Sequence, residues 1–403
     1  MNTVAVIGGG ASGMMAALTA AEDKNNRVVL FERQQRPARK LLATDNGRCN
    51  LTNTLAALKN YHSEQDGFAD AVLNSFTPAD TLDFFHALGL LTVEEYGGRV
   101  YPLSNSANSV ADVLRFALEK AGVEMRTSCP VRELKRSGKA YAVVTDDDTL
   151  IAEYVIVACG GAAGAKIGGV SDGYELLKGL GHKRTKLYPA LVQLITDGEY
   201  PRALKGIRAD ASVKLIGGGS VIAESAGELQ FTDNGVSGPA AFDISRAAAL
   251  CGDGAEISVD FMREYSPEQV EKLINSRCTA LPELEAAQVF TGMLHNRLGR
   301  MIVKYASLPA SAPLKEVTEK QKKAATAACK KFSLKLLGTE GFDSAQVTAG
   351  GVKTSGFDPV TLQSWFNPGL FACGEVLDVD ADCGGYNLQW AWASGRTAGR
   401  LGR

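Results

Sequence analysis

The sequence lacks the features that mark membrane, secreted and nucleic-acid-binding proteins. It has no apolar run of about 18 residues, the length a membrane-spanning helix needs. Its first apolar run, residues 4–7, is too short for a signal peptide and has no basic segment before it. The formal net charge of −2 gives no overall basic excess for nucleic acid. We therefore expect a cytoplasmic protein with no membrane segment, and the charge does not favour a nucleic-acid partner.

Cysteine and histidine are few and scattered. The eight cysteines contain no Cys-x-x-Cys pair, and the four histidines form no cluster with them. This spacing argues against both a disulfide framework and a zinc site, so we predict a reducing compartment and no bound metal. Cys49 lies in a polar loop but has no second cysteine four or five residues away, so we do not expect a dithiol redox mechanism.

What the sequence does contain is a strand, a glycine turn, a helix and a second strand within its first 32 residues. Residues 4–7 run into Gly-x-Gly-x-x-Gly at Gly8, Gly10 and Gly13, a helix-forming segment follows, and the next strand ends at Glu32. Glu32 follows Gly13 by 19 residues, close to the ~20 typical of a dinucleotide-binding fold. The alternative is a glycine-rich turn without a ligand, and the register of strand, helix and acid favours ligand binding.

Each residue of this motif has a chemical role in such a fold. Gly8 permits a tight turn, Gly10 lets the backbone approach a pyrophosphate, and Gly13 lets the helix pack on the strand. The helix N-terminus presents free N–H groups to the phosphates. Glu32 can accept hydrogen bonds from both ribose hydroxyls, which favours an adenosine without a 2′-phosphate.

Three later segments extend the pattern. A basic loop, residues 33–40, follows Glu32 and can neutralise a pyrophosphate. The apolar run 154–161 ends in glycines and is typical of a buried parallel strand. Near the C-terminus we predict a final helix that starts at the double glycine 384–385, where free N–H groups face an anion or an electron-rich atom.

The middle of the chain has a different sequence pattern. Residues 188–262 have the pattern of short strands with glycine turns and predict a small, barrel-like β domain, and residues from 266 to about 340 have the pattern of helices with breaks. Within 315–335 seven lysines stand against two glutamates. We interpret this segment as a solvated helix face rather than a nucleic-acid patch.

Several of these stretches together resemble one known pattern, that of the two-dinucleotide-binding-domain flavoproteins. Within them the chain is similar to the family of BaiN-type and aminoacetone oxidase-like FAD enzymes over nearly its whole length. The motifs that carry the resemblance are Gly8 to Gly13; Arg39 to Thr44 with Asn46 to Asn53; Gly227 to Thr232 with Gly235 to Pro239; and Gly374 to Asp378 with Gly384 to Gln389.

The resemblance implies an α/β protein with a Rossmann-like FAD-binding domain, residues 1–187 and 345–403. It also implies two insertions, a barrel-like β domain at 188–262 and a helical domain at 263–344. The Thr44–Asn50 loop and Lys40 would lie along the ribityl chain and flavin ring, and the amides of Tyr386 to Leu388 would face the pyrimidine end. The candidate cofactor-binding residues are Gly8, Gly10, Ala11, Ser12, Gly13, Glu32, Arg33, Arg39, Lys40, Leu41, Thr44, Gly47, Arg48, Asn50, Val131, Ala158, Gly160, Gly374, Glu375, Gly385, Tyr386, Asn387 and Leu388.

The sequence departs from the family pattern at two positions. Asp45 stands where the pattern has glycine, which affects the loop beside the flavin, and Asp233 stands where it has histidine. The second departure puts in doubt any substrate role that the histidine would carry. No catalytic acid or base can be assigned from the sequence.

We therefore predict an FAD-dependent oxidoreductase that transfers hydride through flavin N5 to or from a small organic molecule. The first reaction expected is NAD(P)H-linked reduction of an enone-like C=C, with NAD(P)H binding transiently because only one dinucleotide motif is present. The alternatives are a flavin oxidase of a small, aminoacetone-like amine that produces hydrogen peroxide, and an RNA-modifying flavoprotein. A flavin-binding sensor without turnover is a further possibility. The sequence predicts no particular oligomeric state.

Overall fold

A computed structural model of the chain describes residues 1–252 and 254–403. They form two compact units, one made of Met1–Tyr188 and Ala345–Arg403 and the other of Pro189–Ser344. In the part of the chain described, no helix is long and apolar enough to cross a membrane.

The secondary structure is mixed α/β. The strands are β1 (Asn2–Ile7), β2 (Asn26–Phe31), β3 (Thr52–Asn53), β4 (Tyr61–His62), β5 (Thr92–Glu95), β6 (Arg99–Pro102), β7 (Glu124–Arg126), β8 (Glu133–Ser137), β9 (Ala140–Val144), β10 (Thr149–Ala152), β11 (Tyr154–Val157), β12 (Tyr188–Ala190), β13 (Leu194–Thr196), β14 (Arg208–Gly217), β15 (Ser220–Phe231), β16 (Gly235–Ser237), β17 (Glu256–Asp260), β18 (Phe332–Thr339), β19 (Val347–Ala349), β20 (Leu370–Ala372) and β21 (Asp380–Ala381). The α-helices are α1 (Ala11–Ala20), α2 (Arg39–Ala43), α3 (Phe68–Ser75), α4 (Pro78–Ala87), α5 (Ala107–Ala121), α6 (Asp172–Gly179), α7 (Glu199–Ala203), α8 (Pro239–Leu250), α9 (Pro267–Ala280), α10 (Asn296–Tyr305), α11 (Glu319–Lys330) and α12 (Tyr386–Gly399).

The first unit is built on a five-stranded parallel sheet in the order β20-β11-β1-β2-β7. β1 is central, and its last four residues, Val4 to Ile7, are buried because both faces of the sheet are covered. The chain leaves β1 towards β2 on one side, and β11 later fills the other side. The carboxyl end of β1 is therefore the switch point where open α/β sheets bind their ligands, and the predicted Rossmann-like fold is confirmed.

Helix α12 covers α1 in this unit. A Cβ at Gly395 would lie 2.4 Å from Ser12 O, and one at Gly399 would lie 2.6 Å from Ala16 O, so the two helices meet through backbone where no larger side chain fits. Trp390 is also buried and its Nε1–H donates to Gly374 O (3.1 Å). The C-terminal helix is therefore part of the core of the cofactor unit.

The second unit contains a closed six-stranded barrel in the order β13-β16-β15-β14-β17-β18. The predicted barrel-like β structure is confirmed. Apolar side chains of the barrel and of helices α8 to α11 form one continuous core. The division of this unit into two domains at 262/263 stays a prediction.

One element of the second unit differs from the prediction. Strand β18 lies where we expected helix, and it pairs antiparallel with both β17 and β13, which closes the barrel. Phe332, Leu334 and Leu336 alternate inwards with the two-residue period of a strand. The helical prediction is wrong there because this short alternation follows a long helical pattern without a clear break.

The lysine-rich segment is only partly a solvated helix face. Lys323 of α11 is exposed, as predicted, but Lys330 is almost covered, and its Nζ lies 2.6 Å from Asp260 Oδ2 and donates to Met262 O at 3.0 Å. Lys322 pairs with Glu319 at 2.6 Å. Two of these lysines therefore have structural partners.

Candidate cofactor-binding site

The glycine turn after β1 has room for backbone but not for side chains at two of its positions. Gly8 has φ +112°, and a Cβ there would lie 2.4 Å from Ala158 O, at the end of β11. A Cβ at Gly13 would lie 1.8 Å from Gly8 O, so only glycine lets α1 approach β1. At Gly10 a Cβ would meet no atom within 4 Å, which leaves open space where a phosphate has to approach.

The N-terminus of α1 is free of side-chain caps. Gly10 is its N-cap, no side chain accepts from the first amides, and the first turn carries no acidic residue. These N–H groups therefore face the open space with the positive end of the helix dipole. Ala11 and Ser12 lie in this turn, and Ser12 is buried against Gly374, whose Cβ would lie 2.4 Å from Ser12 Oγ.

Glu32 directly follows β2 and lies beside this turn. Its Oε2 accepts from the N–H of Gly9 (2.8 Å) and its Oε1 accepts from the N–H of Gln34 (2.7 Å). A carboxylate has about four lone-pair positions, so two remain for hydroxyl donors. Through these bonds Glu32 stabilises the turn. Because the residue is only half-buried, one edge of its carboxylate stays accessible.

Backbone of a second segment runs along Glu32. The N–H of Cys129 donates to Glu32 O at 2.9 Å, and Val131, two residues further on, is buried. Across the sheet, Gly160 has φ +73°, and a Cβ there would meet no atom within 4 Å. Three predicted cofactor-binding positions, Val131, Ala158 and Gly160, therefore lie at the carboxyl edge of the sheet.

The side chains of the basic loop point to separate partners. Arg33 pairs with Asp172 at 2.9 Å, and Arg39 donates to the side chain of Gln34, also at 2.9 Å. Both arginines are bound on the surface of the unit in this arrangement. Their predicted role in neutralising a pyrophosphate stays a prediction.

Lys40 belongs to a different, partly buried group. Its Nζ lies 2.7 Å from Glu375 Oε2, and the other oxygen of Glu375 accepts from the N–H of Thr348 at 2.8 Å. Thr348 Oγ1 in turn accepts from the N–H of Ala163 (2.9 Å). The structure thus brings together a lysine and an acid 335 residues apart, with a threonine that we did not assign. The only sequence signal for Thr348 was its place in residues 346–352, which have the pattern of a strand followed by glycines.

The polar loop after α2 has an unusual backbone. Asp45, Asn46, Gly47 and Cys49 all have positive φ, at +45°, +55°, +87° and +64°. Asp45 therefore adopts the left-handed conformation that glycine favours, which explains why the family pattern has glycine at this position and why aspartate is tolerated.

Arg48 contacts residues outside the loop as well as Asp45 within it, whose Oδ2 lies 3.9 Å from Arg48 Nη1. Its guanidinium donates to Glu95 (2.6 Å) and to Asn105 (2.6 Å), and it lies 4.0 Å above the ring centroid of Tyr101. Cys49, next to it, is fully buried, and burial raises the pKa of its thiol to about 12. A buried thiol that stays protonated is a weak nucleophile.

Thr44, at the start of the loop, is held by a hydrogen bond from its side chain to the backbone of α2. Thr44 Oγ1 donates to Leu41 O at 2.6 Å, and Leu41 is buried in the core.

The start of α12 lies beside Asn50. Gly385 is the N-cap with φ +95°, and a Cβ there would lie 2.6 Å from Thr52 O and 2.8 Å from Asn50 Oδ1. No side chain caps this helix. The side chain of Asn387 bonds both the N–H and the carbonyl of Ala381 (3.0 and 2.8 Å), which ties the helix start to β21.

Two polar atoms near this helix start have no partner among the described residues. Asn50 Oδ1 is one, and the hydroxyl of Tyr61 is the other. The ring of Tyr61 meets that of Tyr386 edge-on, with centroids 6.4 Å apart, and Leu388 packs partly buried against the core. Burial raises the pKa of the Tyr61 hydroxyl well above its usual value. Sequence reasoning missed Tyr61, because nothing local to it indicates that β4 pairs with β21.

The residues present fit a dinucleotide cofactor. The turn at Gly10 is open, the amides of α1 are uncapped, Glu32 has spare acceptor positions, and Asn50 has an unsatisfied oxygen. By contrast, the described residues contain no group of three histidine, cysteine or acidic side chains that could hold a metal.

Comparison with known proteins identifies the family of the chain. The HI0933-like protein Rossmann domain family matches residues 2–401. A 3-dehydro-bile acid delta(4,6)-reductase of Clostridium scindens is 40% identical over 99% of this chain and 98% of its own length. A ribosomal RNA dihydrouridine synthase of Escherichia coli is 29% identical over 96% of this chain and 95% of its own.

A solved structure shows the same fold at low identity. It is the 3-ketosteroid delta1-dehydrogenase of Sterolibacterium denitrificans, with a TM-score of 0.50, 13% identity and 99% of each chain covered. Since the family model spans almost the whole chain and a reductase is 40% identical to it over 99% of its length, the protein belongs to the HI0933-like Rossmann family and is an FAD-dependent oxidoreductase.

Proposed function

We propose that the protein reduces a carbon–carbon double bond conjugated to a carbonyl in a small organic substrate, with NAD(P)H as the source of hydride. The observation that carries this proposal is the 40% identity, over 99% of the chain, to an enzyme named as a reductase of a 3-dehydro-bile acid. A single glycine motif is consistent with one tightly held dinucleotide and a nicotinamide that binds only in passing.

The cofactor assignments form part of the proposal. The uncapped start of α1 and the open space at Gly10 take the pyrophosphate, and Glu32 takes the ribose of the adenosine. The Lys40–Glu375 pair lies along the ribityl chain. The N-terminus of α12 faces the pyrimidine end of the flavin.

Bound FAD supplies the hydride-transfer chemistry, and the chain supplies binding, orientation and electrostatics. The net reaction takes one hydride from NAD(P)H to the β-carbon of the conjugated system and one proton to the α-carbon. The N–H groups at the start of α12 favour negative charge beside them by about 0.3–1 kcal/mol when exposed and up to about 2 kcal/mol when partly buried. This helix thus favours the electron-rich state of a group placed against Gly385.

A second candidate substrate has support from other relatives. Two proteins that are 29% and 25% identical are named as ribosomal RNA dihydrouridine synthases. Reduction of the uracil 5,6 double bond is the same chemistry, since that bond is conjugated to the C4 carbonyl. Against this candidate, Lys322 and Lys330 of the lysine-rich segment are already paired with acids, so they offer less charge to phosphates.

The test is a pair of half-reactions on the purified, FAD-loaded protein without oxygen. We expect NADH or NADPH to bleach the flavin, and a 3-oxo-Δ4,6-steroid acid then to restore its absorbance and to gain two hydrogen atoms by mass spectrometry. Parallel samples receive unmodified ribosomal RNA, with dihydrouridine as the product, or aminoacetone with oxygen, with peroxide as the product.

The outcomes separate the candidates. Reoxidation by the RNA and not by the steroid would move the substrate to uracil, and peroxide from the amine would favour the oxidase. A flavin that neither nicotinamide reduces would overturn the NAD(P)H link. Lys323→Gln, an exposed change on α11, serves as the control variant and should behave as the parent.

A further inference from the structure

Asn50 is a buried side chain with an unused acceptor. The residue is 9% exposed, and its Oδ1 has no hydrogen-bond partner within the described chain. An acceptor left in this state costs roughly 1–3 kcal/mol, so native structures rarely keep one without a ligand or an ordered water.

The backbone that follows Asn50 is held by two hydrogen bonds. The N–H of Leu51 donates to Val100 O (2.7 Å), and Leu51 O accepts from Trp392 Nε1 (2.9 Å). The backbone beside Asn50 is thus tied to β6 and to a core residue of α12.

The start of α12 lies next to this oxygen. Asn50 Oδ1 is 2.8 Å from the position of a Cβ on Gly385, the N-cap of α12, and no side chain caps that helix. An acceptor therefore stands beside a row of N–H donors. An acceptor next to N–H donors is complementary to the imide edge of a ring, in which an N–H group lies between two carbonyl groups.

We propose that Asn50 Oδ1 accepts the hydrogen bond of the flavin N3–H while the amides at the start of α12 take the adjacent C2 carbonyl. The inference rests on the FAD site proposed above and adds to it the residue that recognises the imide. Asn50 therefore selects the cofactor by its N3 proton.

The probe is N3-methyl-FAD, which lacks that proton and is otherwise the same cofactor. Apoprotein is titrated with FAD and with N3-methyl-FAD, and the dissociation constants are measured by flavin fluorescence. We expect the parent to bind the methylated cofactor at least about tenfold more weakly, since an unmade hydrogen bond at a buried acceptor has about this effect.

Two variants test the assignment to Asn50. Asn50→Ala should bind both cofactors within about twofold of each other, because the acceptor is gone. Asn26→Ala is the matched control: Asn26 Oδ1 is also buried without a partner, but it lies at the amino end of β2, opposite the glycine turn. This variant should keep the parent's preference.

Equal binding of the two cofactors by the parent would overturn the inference, and so would an undiminished preference in Asn50→Ala. Should that variant not fold, Asn50→Asp retains an acceptor of the same shape and must keep the preference. These measurements use no substrate. A protein that discriminates the cofactors and yet reduces no enone would contradict the proposed substrate alone.

Discussion

Glu32 offers the sharpest test of the cofactor site, because the structure gives its carboxylate two separable roles. It accepts from the N–H groups of Gly9 and Gln34 in the protein itself, and it is the proposed ligand of the ribose. Glu32→Ala removes both. Hydrogen bonds to a charged group contribute about 1.5–3 kcal/mol each, and the half-buried position lets water replace part of this, so we expect an unfolding free energy lower by roughly 1.5–3 kcal/mol.

The loss of the ribose contacts comes in addition and is seen only with cofactor present. We expect FAD to bind about 5- to 150-fold more weakly, corresponding to roughly 1–3 kcal/mol. Urea unfolding of the apoprotein measures the first effect, and titration of apoprotein with FAD measures the second. Glu175→Ala, at an exposed acid of α6 that pairs with Lys178 at 3.2 Å, is the control and should change neither.

The two measurements can fail independently. A destabilised apoprotein with unchanged FAD affinity would leave Glu32 as a brace of the glycine turn and refute its role at the ribose. Unchanged stability would show that the two backbone hydrogen bonds contribute nothing, and the magnitude worked out above would then be wrong.

Four further predictions follow from buried groups. Burial lowers the pKa of His182 from its ordinary 6.5 to about 4. Between these pH values the unfolded state binds more protons than the folded state, so the unfolding free energy should fall as pH drops from about 6.5 towards 4. His182→Gln should flatten that slope in urea unfolding. The thiol of Cys49, with a pKa of about 12, should resist alkylation at pH 8 in the native protein and react in urea, as followed by mass spectrometry. Tyr61→Phe removes a hydroxyl that has no partner and should leave the melting temperature of the apoprotein unchanged or higher. Lys330→Met should cost roughly 1–3 kcal/mol of unfolding free energy and Lys323→Met under about 0.5 kcal/mol, a difference that equal losses would contradict.

Local patterns predicted the parts of the fold that depend on neighbours in sequence. The glycine turn, α1, β2 with Glu32, and the start of α12 at Gly385 all lie where the sequence placed them. Backbone sterics and helix capping determine such elements within a few residues, so they can be read directly.

Pairings between distant segments could not be read in this way. Strand β18 becomes a strand because barrel closure supplies partners on both edges, and its own eight residues carry too short an alternation to outweigh the helical sequence before them. Likewise, the contacts of Glu375 with Lys40 and Thr348, and the position of Tyr61 opposite Ala381, depend on chain segments that meet only in the folded unit. The sequence named Asn50 as a cofactor residue but could not show that its oxygen is left unpaired.

The interlocking of α1 with α12 has a consequence for the order in which this protein folds during synthesis. The groove on α1 that receives Gly395 and Gly399 is made within the first 20 residues, and its partner helix is translated after the whole of Pro189–Ser344. At about 5–20 residues per second, the ribosome needs roughly 20–80 s to bridge that interval. The barrel unit is continuous in sequence and can fold while translation proceeds. The nucleotide-binding unit must keep an apolar helix face uncovered until the last helix emerges, so we expect nascent chains halted before residue 386 to recruit chaperones and to hold no flavin.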